Sequence, residues 1–369
     1  MKIASVDIYK IDIPVAYPAA VAIGSIDSAS NVMVKITADT GDYGWGESSP
    51  FAPITGDSQA SNYQTAQQLA TLLKGKDPLA IEARVAEMNR FTVGEPSIRC
   101  AFDIALYDLA AKVADVPLYA FLGGEQRPIY TNLTIGLQDS VDKTIERAEK
   151  ILAAGFKSIK MKTGRKHLED VAHVAAVRAL AGPDVLLKID SNQGWSYQDA
   201  VANIRAMAPL DLMYSEQPIA AWDYDNLARL RDTVDLPICA DESVFDEKDA
   251  LKLVKQGAVD YLNIKLGKSA GIATALRINA IAEAAGCQCM IGCFAETRLG
   301  LTAAAHLAMA RPNIYFLDLD SAYKHLKDPV IGGMVYDKVE GGLIRLSDKP
   351  GLGLDIDEQF LSSVGHCSL

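Results

Sequence analysis

Short apolar runs recur along this chain with a steady beat. From Ile129 onward they read IYTNLTIGL, KSIKMKTG, VLLKIDSNQG, LMYSEQP, PICADES, YLNIKLGK, CQCMIGC and YFLDLDS. Each has the length and near-continuous apolar texture of a strand buried on both faces. Between them lie stretches such as VDKTIERAEKILAAG and EDVAHVAAVRALAG, with apolar positions at helical spacing. Successive strand ends are roughly 24 to 28 residues apart, the size of one βα unit. Eight strands alternating with helices predict an α/β fold closed as a (β/α) barrel. An open doubly wound sheet is the alternative, but the Gly-rich phosphate turn and acidic strand end of a dinucleotide fold are missing.

The rest of the chain has a different pattern. KIASVDIYKIDIPV and NVMVKITADTGDYGWGES alternate like strands, with DTGD as a hairpin turn. The stretch from about Ser58 to Ala114 is helical in pattern, as in SIRCAFDIALYDLAAKVA. Strands followed by helices predict an α+β unit over residues 1–125, ahead of a barrel over 126–320. After Asp320 the beat stops, and the Gly-rich GGMVYDKVEGGLIRLSDKPGLGL predicts a hairpin. Residues 321–369 are expected to return to the N-terminal unit.

Composition narrows the function by exclusion. The 369 residues are 49% hydrophobic and 22% charged, enough apolar content for a large core. The net charge of −11 argues against nucleic acid and against an anionic membrane surface. No apolar run is long enough to span a bilayer, and MKIASVDIYKIDIPV lacks the apolar core of a signal peptide. The six cysteines show no disulfide-framework spacing, and Cys287, Cys289 and Cys293 lack the second pair of a metal clip. A cytoplasmic protein is expected.

Barrel enzymes work at the C-terminal ends of their strands, and charges cluster there in this chain. Asp190, Glu216 and Asp241 end strands three, four and five at one level. Capping or salt bridging accounts for one such carboxylate; three in succession repel, and a divalent cation such as Mg²⁺ relieves the repulsion. Lys160 and Lys162 end strand two on one face, and Lys265 ends strand six, opposite strand two in an eight-stranded ring. A like charge beside Lys162 is expected to lower its pKa and make it a usable base. Lys160 is then an auxiliary cation that holds substrate or tunes Lys162. Opposed amines beside Mg²⁺ suit removal of a proton α to a carboxylate, through an enediolate, and its return on the other face. Lys157 and Lys268 read as surface charges. Asp318 and Asp320, on one face of strand eight, suit a substrate ammonium.

The stretches KMK, KIDSNQGW, SEQP, ADES, NIKLGKSAGI and AETRLGLTAAAH, with GWGESSPF and ALYDLAAK before them, span essentially the whole chain. On them the sequence resembles the enolase superfamily, in its muconate lactonizing enzyme subgroup. The resemblance implies a modified (β/α)7β TIM barrel with an α+β capping domain built from both chain ends. It implies Mg²⁺ on Asp190, Glu216 and Asp241, with Lys162 and Lys265 as the acid/base pair. The Asp318-x-Asp320 pattern is similar to dipeptide epimerases, in which these carboxylates hold the α-ammonium of a small-molecule dipeptide. Members acting on Ala-Glu tend to carry an arginine in the first capping loop, where Gly24 stands here. Gly24, Ile26, Phe51, Ile54 and Phe294 then suggest a small or apolar pocket for neutral dipeptides of the Ala-Ala kind. Alternatives are Ala-Glu, a cationic dipeptide met by Asp27 and Glu296, or N-acyl amino acid racemisation or cycloisomerisation. A homo-oligomer is expected.

Overall fold

The computed structural model describes residues 1–165 and 168–369, and within them every side chain except those of residues 17–19 and 26. It opens with an antiparallel hairpin, β1 (Ile3–Val21) and β2 (Gly24–Ala38). The predicted DTGD turn leads into β3 (Tyr43–Ser48), which pairs with β2. Helices α1 (Gln59–Leu73), α2 (Ile81–Phe91) and α3 (Pro96–Val113) follow. Glycines explain how α3 lies so close to β3: a Cβ at Gly46 would stand 1.8 Å from the Ala101 carbonyl oxygen, and one at Gly44 2.0 Å from that of Ala105. The long hairpin is one difference from expectation. Its tip, expected as a loop around residues 21–27, is strand on both sides and is tied to the barrel by Leu137 N–H donating to the Ala20 carbonyl.

The eight expected barrel strands are all present, in chain order. They are β4 (Leu133–Ile135), β5 (Ser158–Lys162), β6 (Leu186–Asp190), β7 (Leu212–Glu216), β8 (Ile238–Ala240), β9 (Tyr261–Ile264), β10 (Gln288–Ile291) and β11 (Ile314–Leu317). Each pairs in parallel with the next, and a Thr131–Leu317 bridge joins the first end of the sheet to the last. Seven helices alternate with them: α4 (Val141–Ala153), α5 (Glu169–Ala181), α6 (Tyr197–Met207), α7 (Tyr224–Thr233), α8 (Glu247–Lys255), α9 (Ile272–Ala284) and α10 (Arg298–Ala310). This is a (β/α)7β barrel. Its floor is an aromatic and sulfur-rich cluster of Tyr214, Cys239, Met290 and Phe316.

Two carboxylates of the N-terminal unit fasten it to the barrel by capping barrel helices. Glu47 accepts from the N–H groups of Thr297 and Gly300, at the start of α10. Asp103 accepts from Ile272 and Ala273 N–H, at the start of α9. Buried carboxylates are costly, and these are sustained by donors that would otherwise be orphaned at helix starts, where the dipole favours an anion. Gly271 makes the second contact possible, because a Cβ there would sit 2.4 Å from the Asp103 carboxyl.

The predicted hairpin after Asp320 forms from Val335–Tyr336 and Leu343–Arg345, but it pairs with Ile129–Tyr130 rather than with the N-terminal sheet. The chain beyond it does reach that sheet. Asp355 accepts from the Tyr43 hydroxyl and the Trp45 indole N–H, and β12 (Gly365–Ser368) pairs with β1.

Candidate active site

Parallel register sets the level of the strand-end charges. Lys162 lies opposite Asp190, and Asp190 opposite Glu216. With Asp241, one residue past β8, these carboxylates converge: Asp190, Glu216 and Asp241 are wholly buried, and each offers an oxygen within 4.8 Å of the others. Burial and the neighbouring Asp190 charge push the Glu216 carboxyl up to about 7. Burial also opposes ionisation of Asp190 and Asp241, but adjacent lysines outweigh it and both are lowered. Among the described residues, Glu216 Oε2 and both Asp241 oxygens take no directed hydrogen bond and are met by the ammonium groups of Lys160, Lys265 and Lys268. A buried set of hard, under-coordinated oxygens fits Mg²⁺.

The lysines divide by depth. Lys160 is buried, 2.9 Å from Asp190 and 2.8 Å from both Glu216 and Asp318. Burial opposes its charge, yet the three carboxylates prevail and its pKa is raised well above the usual value. This corrects the expected pairing of two repelling lysines: Lys160 stays an ammonium whose charge is balanced by carboxylates beneath the site, and it does not line the cavity above it. Lys162 does line that cavity, with its ammonium 2.6 Å from Asp190 Oδ2 and 2.9 Å from Asn192 Oδ1. Lys265 lines it from β9's end, 2.7 Å from Asp241 Oδ2. Strands β5 and β9 are four apart in the ring of eight, so the two amines approach from opposed walls.

The cavity has a volume of about 250 Å³. Besides the two lysines it collects Asp318 and Asp320, with Val21, Phe51, Ile54 and Phe294 as its apolar wall. The Phe51 and Phe294 rings lie 6.2 Å apart, and the Lys265 ammonium stands 4.8 Å from the Phe294 ring. Asp318 accepts from Lys160 and Asn132; Asp320 accepts from Thr134 N–H. Burial raises the Asp318 pKa, but Lys160, Lys188 and Lys162 outweigh it, and the carboxylate stays charged.

Four residues expected at the substrate fall elsewhere or outside the described side chains. Gly24 does not line the cavity; it backs the Phe51 ring, which a Cβ there would meet at 3.5 Å. Glu296 faces a separate small cavity with Glu47 and Cys100, accepts from Phe294 N–H, and is pushed by burial up to about 8. The Ile26 side chain lies outside the described residues. Asp27 is exposed, bonded to Ser25, and borders a different pocket, so neither acid suggested for a cationic substrate reaches this one.

Sequence reasoning missed the residues that aim the charges. Lys268, read as a surface cation, is fully buried and donates to the carbonyls of Asp241, Val244 and Asn263. Asn263 in turn donates to Glu216. Asn192, at φ +41°, donates through its amide to Glu242 and accepts from Lys162. The signal for Lys268 was its place one turn past a strand end.

Comparison with known proteins agrees with this geometry. Residues 3–123 match the mandelate racemase/muconate lactonizing enzyme N-terminal domain, and residues 143–360 match the enolase C-terminal domain-like family. A hydrophobic dipeptide epimerase from Enterococcus faecalis is 39% identical over 96% of this chain and 99% of its own length. A D-Ala-D/L-Ala epimerase from Cytophaga hutchinsonii is 38% identical over 99% of this chain and 98% of its own. The crystal structure of the dipeptide epimerase from Cytophaga hutchinsonii, complexed with Mg and D-Ala-L-Val, superposes with a TM-score of 0.97 at 37% identity, covering both chains fully. The cofactor is Mg²⁺, and the chain is an isomerase belonging to the mandelate racemase/muconate lactonizing enzyme family of the enolase superfamily.

Proposed function

We propose that this chain is a Mg²⁺-dependent dipeptide epimerase that inverts the α-carbon of the C-terminal residue. Asp190, Glu216 and Asp241 would hold the ion, whose charge supplies acidity to a C–H bond α to the substrate carboxylate. Lys162 and Lys265 then perform the proton transfers: one amine removes the α-proton, and the opposing ammonium delivers a proton to the other face. Their roles exchange with the direction of reaction. Asn192 orients Lys162, and the Phe294 ring lies against Lys265, keeping water from that wall. Asp318 and Asp320 hold the substrate's α-ammonium. The wall of Val21, Phe51, Ile54 and Phe294 favours a small or hydrophobic side chain on the reacting residue, as in an Ala-Ala-like dipeptide.

The observation that carries this reading is the pair of amines on strands four apart, lining one cavity and each touching a different member of the acidic trio. In D₂O, deuterium is expected at the C-terminal α-carbon of suitable dipeptides, and Lys162→Ala or Lys265→Ala each removes net epimerisation. A dipeptide library with no exchange at any α-carbon would refute the reading. The same reading divides the chain into a capping unit (1–125), the barrel (126–320) and a segment (321–369) returning to the cap. It places the enzyme in a reducing cytoplasm, which its six unpaired thiols suit.

A further inference from the structure

Glu242 follows Asp241 just past the end of β8. It is neither one of the acidic trio nor among the described residues that line the catalytic cavity, and it is 5% exposed. Among the described residues its carboxylate receives one directed hydrogen bond, from Asn192 Nδ2 to Oε1 at 3.0 Å, and Oε2 receives none. The backbone around it is held on both sides. The Gln217 side-chain oxygen accepts from Asp241 N–H at 2.9 Å and from Ser243 N–H at 3.1 Å, and the Lys268 ammonium ties the carbonyls of Asp241 and Val244 together. Asn192 is also fixed at its root, because its own N–H donates to Asp190 Oδ1 at 2.9 Å. That leaves open which end of the Asn192 amide meets Lys162. The two ends have nearly the same shape, and hydrogen bonding tells them apart. Glu242 Oε1 takes the NH₂ end, so the carbonyl end is presented to the Lys162 ammonium at 2.9 Å. Turned over, the amide would set its N–H donors against an ammonium and its oxygen against a carboxylate. Lys265 has no such arm: among the described residues its ammonium meets Asp241 Oδ2 at 2.7 Å and the Phe294 ring at 4.8 Å.

We infer that Glu242 is a positioning residue for one of the two bases: through Asn192 it aims the Lys162 ammonium at the reacting carbon, and it has no matching hold on Lys265. The inference rests on the epimerase reading and deepens it, giving the two proton transfers separate supports. Asp190 does not aim Lys162 alone. Its Oδ2 is a single contact at 2.6 Å about which the ammonium can swing, and the same oxygen is shared with Lys160 at 2.9 Å. A second acceptor on a rigid arm fixes the direction, and misplacing a reacting group by about 1 Å costs about 100-fold in rate. Loss of Glu242 therefore weakens proton transfer on one face of the α-carbon and spares the other.

The test follows initial rates of α-deuterium incorporation in D₂O with Mg²⁺, separately for the two epimers L-Ala-L-Ala and L-Ala-D-Ala. In each, an amine takes the α-proton, the ammonium so formed trades protons for deuterons with solvent, and a deuteron returns to the same face. Exchange with retention thus reports one lysine at a time. Lys162→Ala and Lys265→Ala establish which epimer each amine serves, since each variant should exchange only the epimer facing the lysine it keeps. Glu242→Met and Glu242→Leu both remove the acceptor, and either suffices if the other does not fold. Exchange of the epimer served by Lys162 is expected to fall about 10- to 100-fold in kcat with KM within about twofold, while that of the other epimer stays within about threefold of wild type. Glu242→Gln keeps an oxygen for Asn192 and is expected to hold both epimers within about threefold of wild type. In Asn192→Ala the epimer served by Lys162 should fall alike, and adding Glu242→Met should change nothing further. Mn²⁺ affinity, read by electron paramagnetic resonance, is expected to stay native in the Glu242 variants. Equal falls for both epimers, a Gln variant as impaired as the Met variant, undiminished exchange in the Met variant, an added loss in the Asn192→Ala background, or a Mn²⁺ affinity that falls with the exchange overturns the inference and leaves the epimerase reading intact. A wild type that exchanges neither epimer overturns both.

Discussion

Lys268→Met is the most direct probe of how this barrel holds its acidic trio. The Lys268 ammonium donates to three buried carbonyls at 2.7, 2.6 and 2.7 Å, and stands 3.2 Å from Asp241 Oδ1. Methionine keeps the stem and removes all four interactions. Each orphaned carbonyl costs about 1–3 kcal/mol, while an ammonium no longer needs desolvating. Burial, with a smaller push from the Lys265 charge, holds the Lys268 pKa below its usual value despite Asp241, so that desolvation cost is large. Removing one partner of a buried charged cluster costs about 3–5 kcal/mol, and we take that as the net. The loss falls on the turn joining Asp241 to Val244 and on Asn263, which in turn orients Glu216. Metal affinity should therefore drop about 10- to 100-fold, the usual effect of removing a group that orients a ligand. Mn²⁺ titration followed by electron paramagnetic resonance reads this without turnover, and thermal melting in chelator reads the stability. A variant with native melting temperature and native Mn²⁺ affinity would refute the reasoning. A variant that melts early but binds Mn²⁺ normally would reduce Lys268 to a structural strut.

Other outcomes follow from single contacts. His306 is buried, accepts from Tyr119 N–H, and is driven by burial down to about 3, so the unfolded chain takes up its proton first as pH falls below 6.5. Wild type should thus lose about 2 kcal/mol between pH 7 and pH 5 that His306→Asn does not, read from urea midpoints at the two pH values. Gly46→Ala should cost several kcal/mol, more than about 3, because its Cβ has no room against the Ala101 carbonyl; soluble expression and melting temperature test this. Phe294→Ala should open the apolar wall and shift preference from alanine toward larger C-terminal residues, measured as relative kcat/KM on Ala-Ala and Ala-Tyr, with an overall fall in kcat as Lys265 loses its ring neighbour.

What the sequence made legible, and what it hid, has a physical pattern. Asp190, Glu216 and Asp241 were legible because a parallel barrel brings strand ends to one rim, so spacing along the chain converts directly into proximity. Asp318 and Asp320 were legible for the same reason, since alternation along a strand puts both on one face. Lys160 misled because alternation fixes which face a side chain takes, not its depth. One rung lower on the strand, it meets carboxylates from three other strands instead of its neighbour Lys162. Glu296 misled because it follows β10 through an irregular turn, where strand alternation no longer applies, and its carboxylate bonds back to Phe294 N–H. Lys268 was hidden more deeply: apart from the Asp241 carboxylate, its partners are backbone carbonyls, which leave no trace in the sequence of residue types. Glu47 and Asp103 are similar, for what they recognise is the start of a helix rather than a side chain. Strand-end chemistry is thus written in residue identity and period, whereas the bonds that aim it run to backbone and appear only once the chain is folded. The most informative substitutions are accordingly those at buried charges whose partners are main-chain groups, because there a loss of function reports on geometry that no motif records.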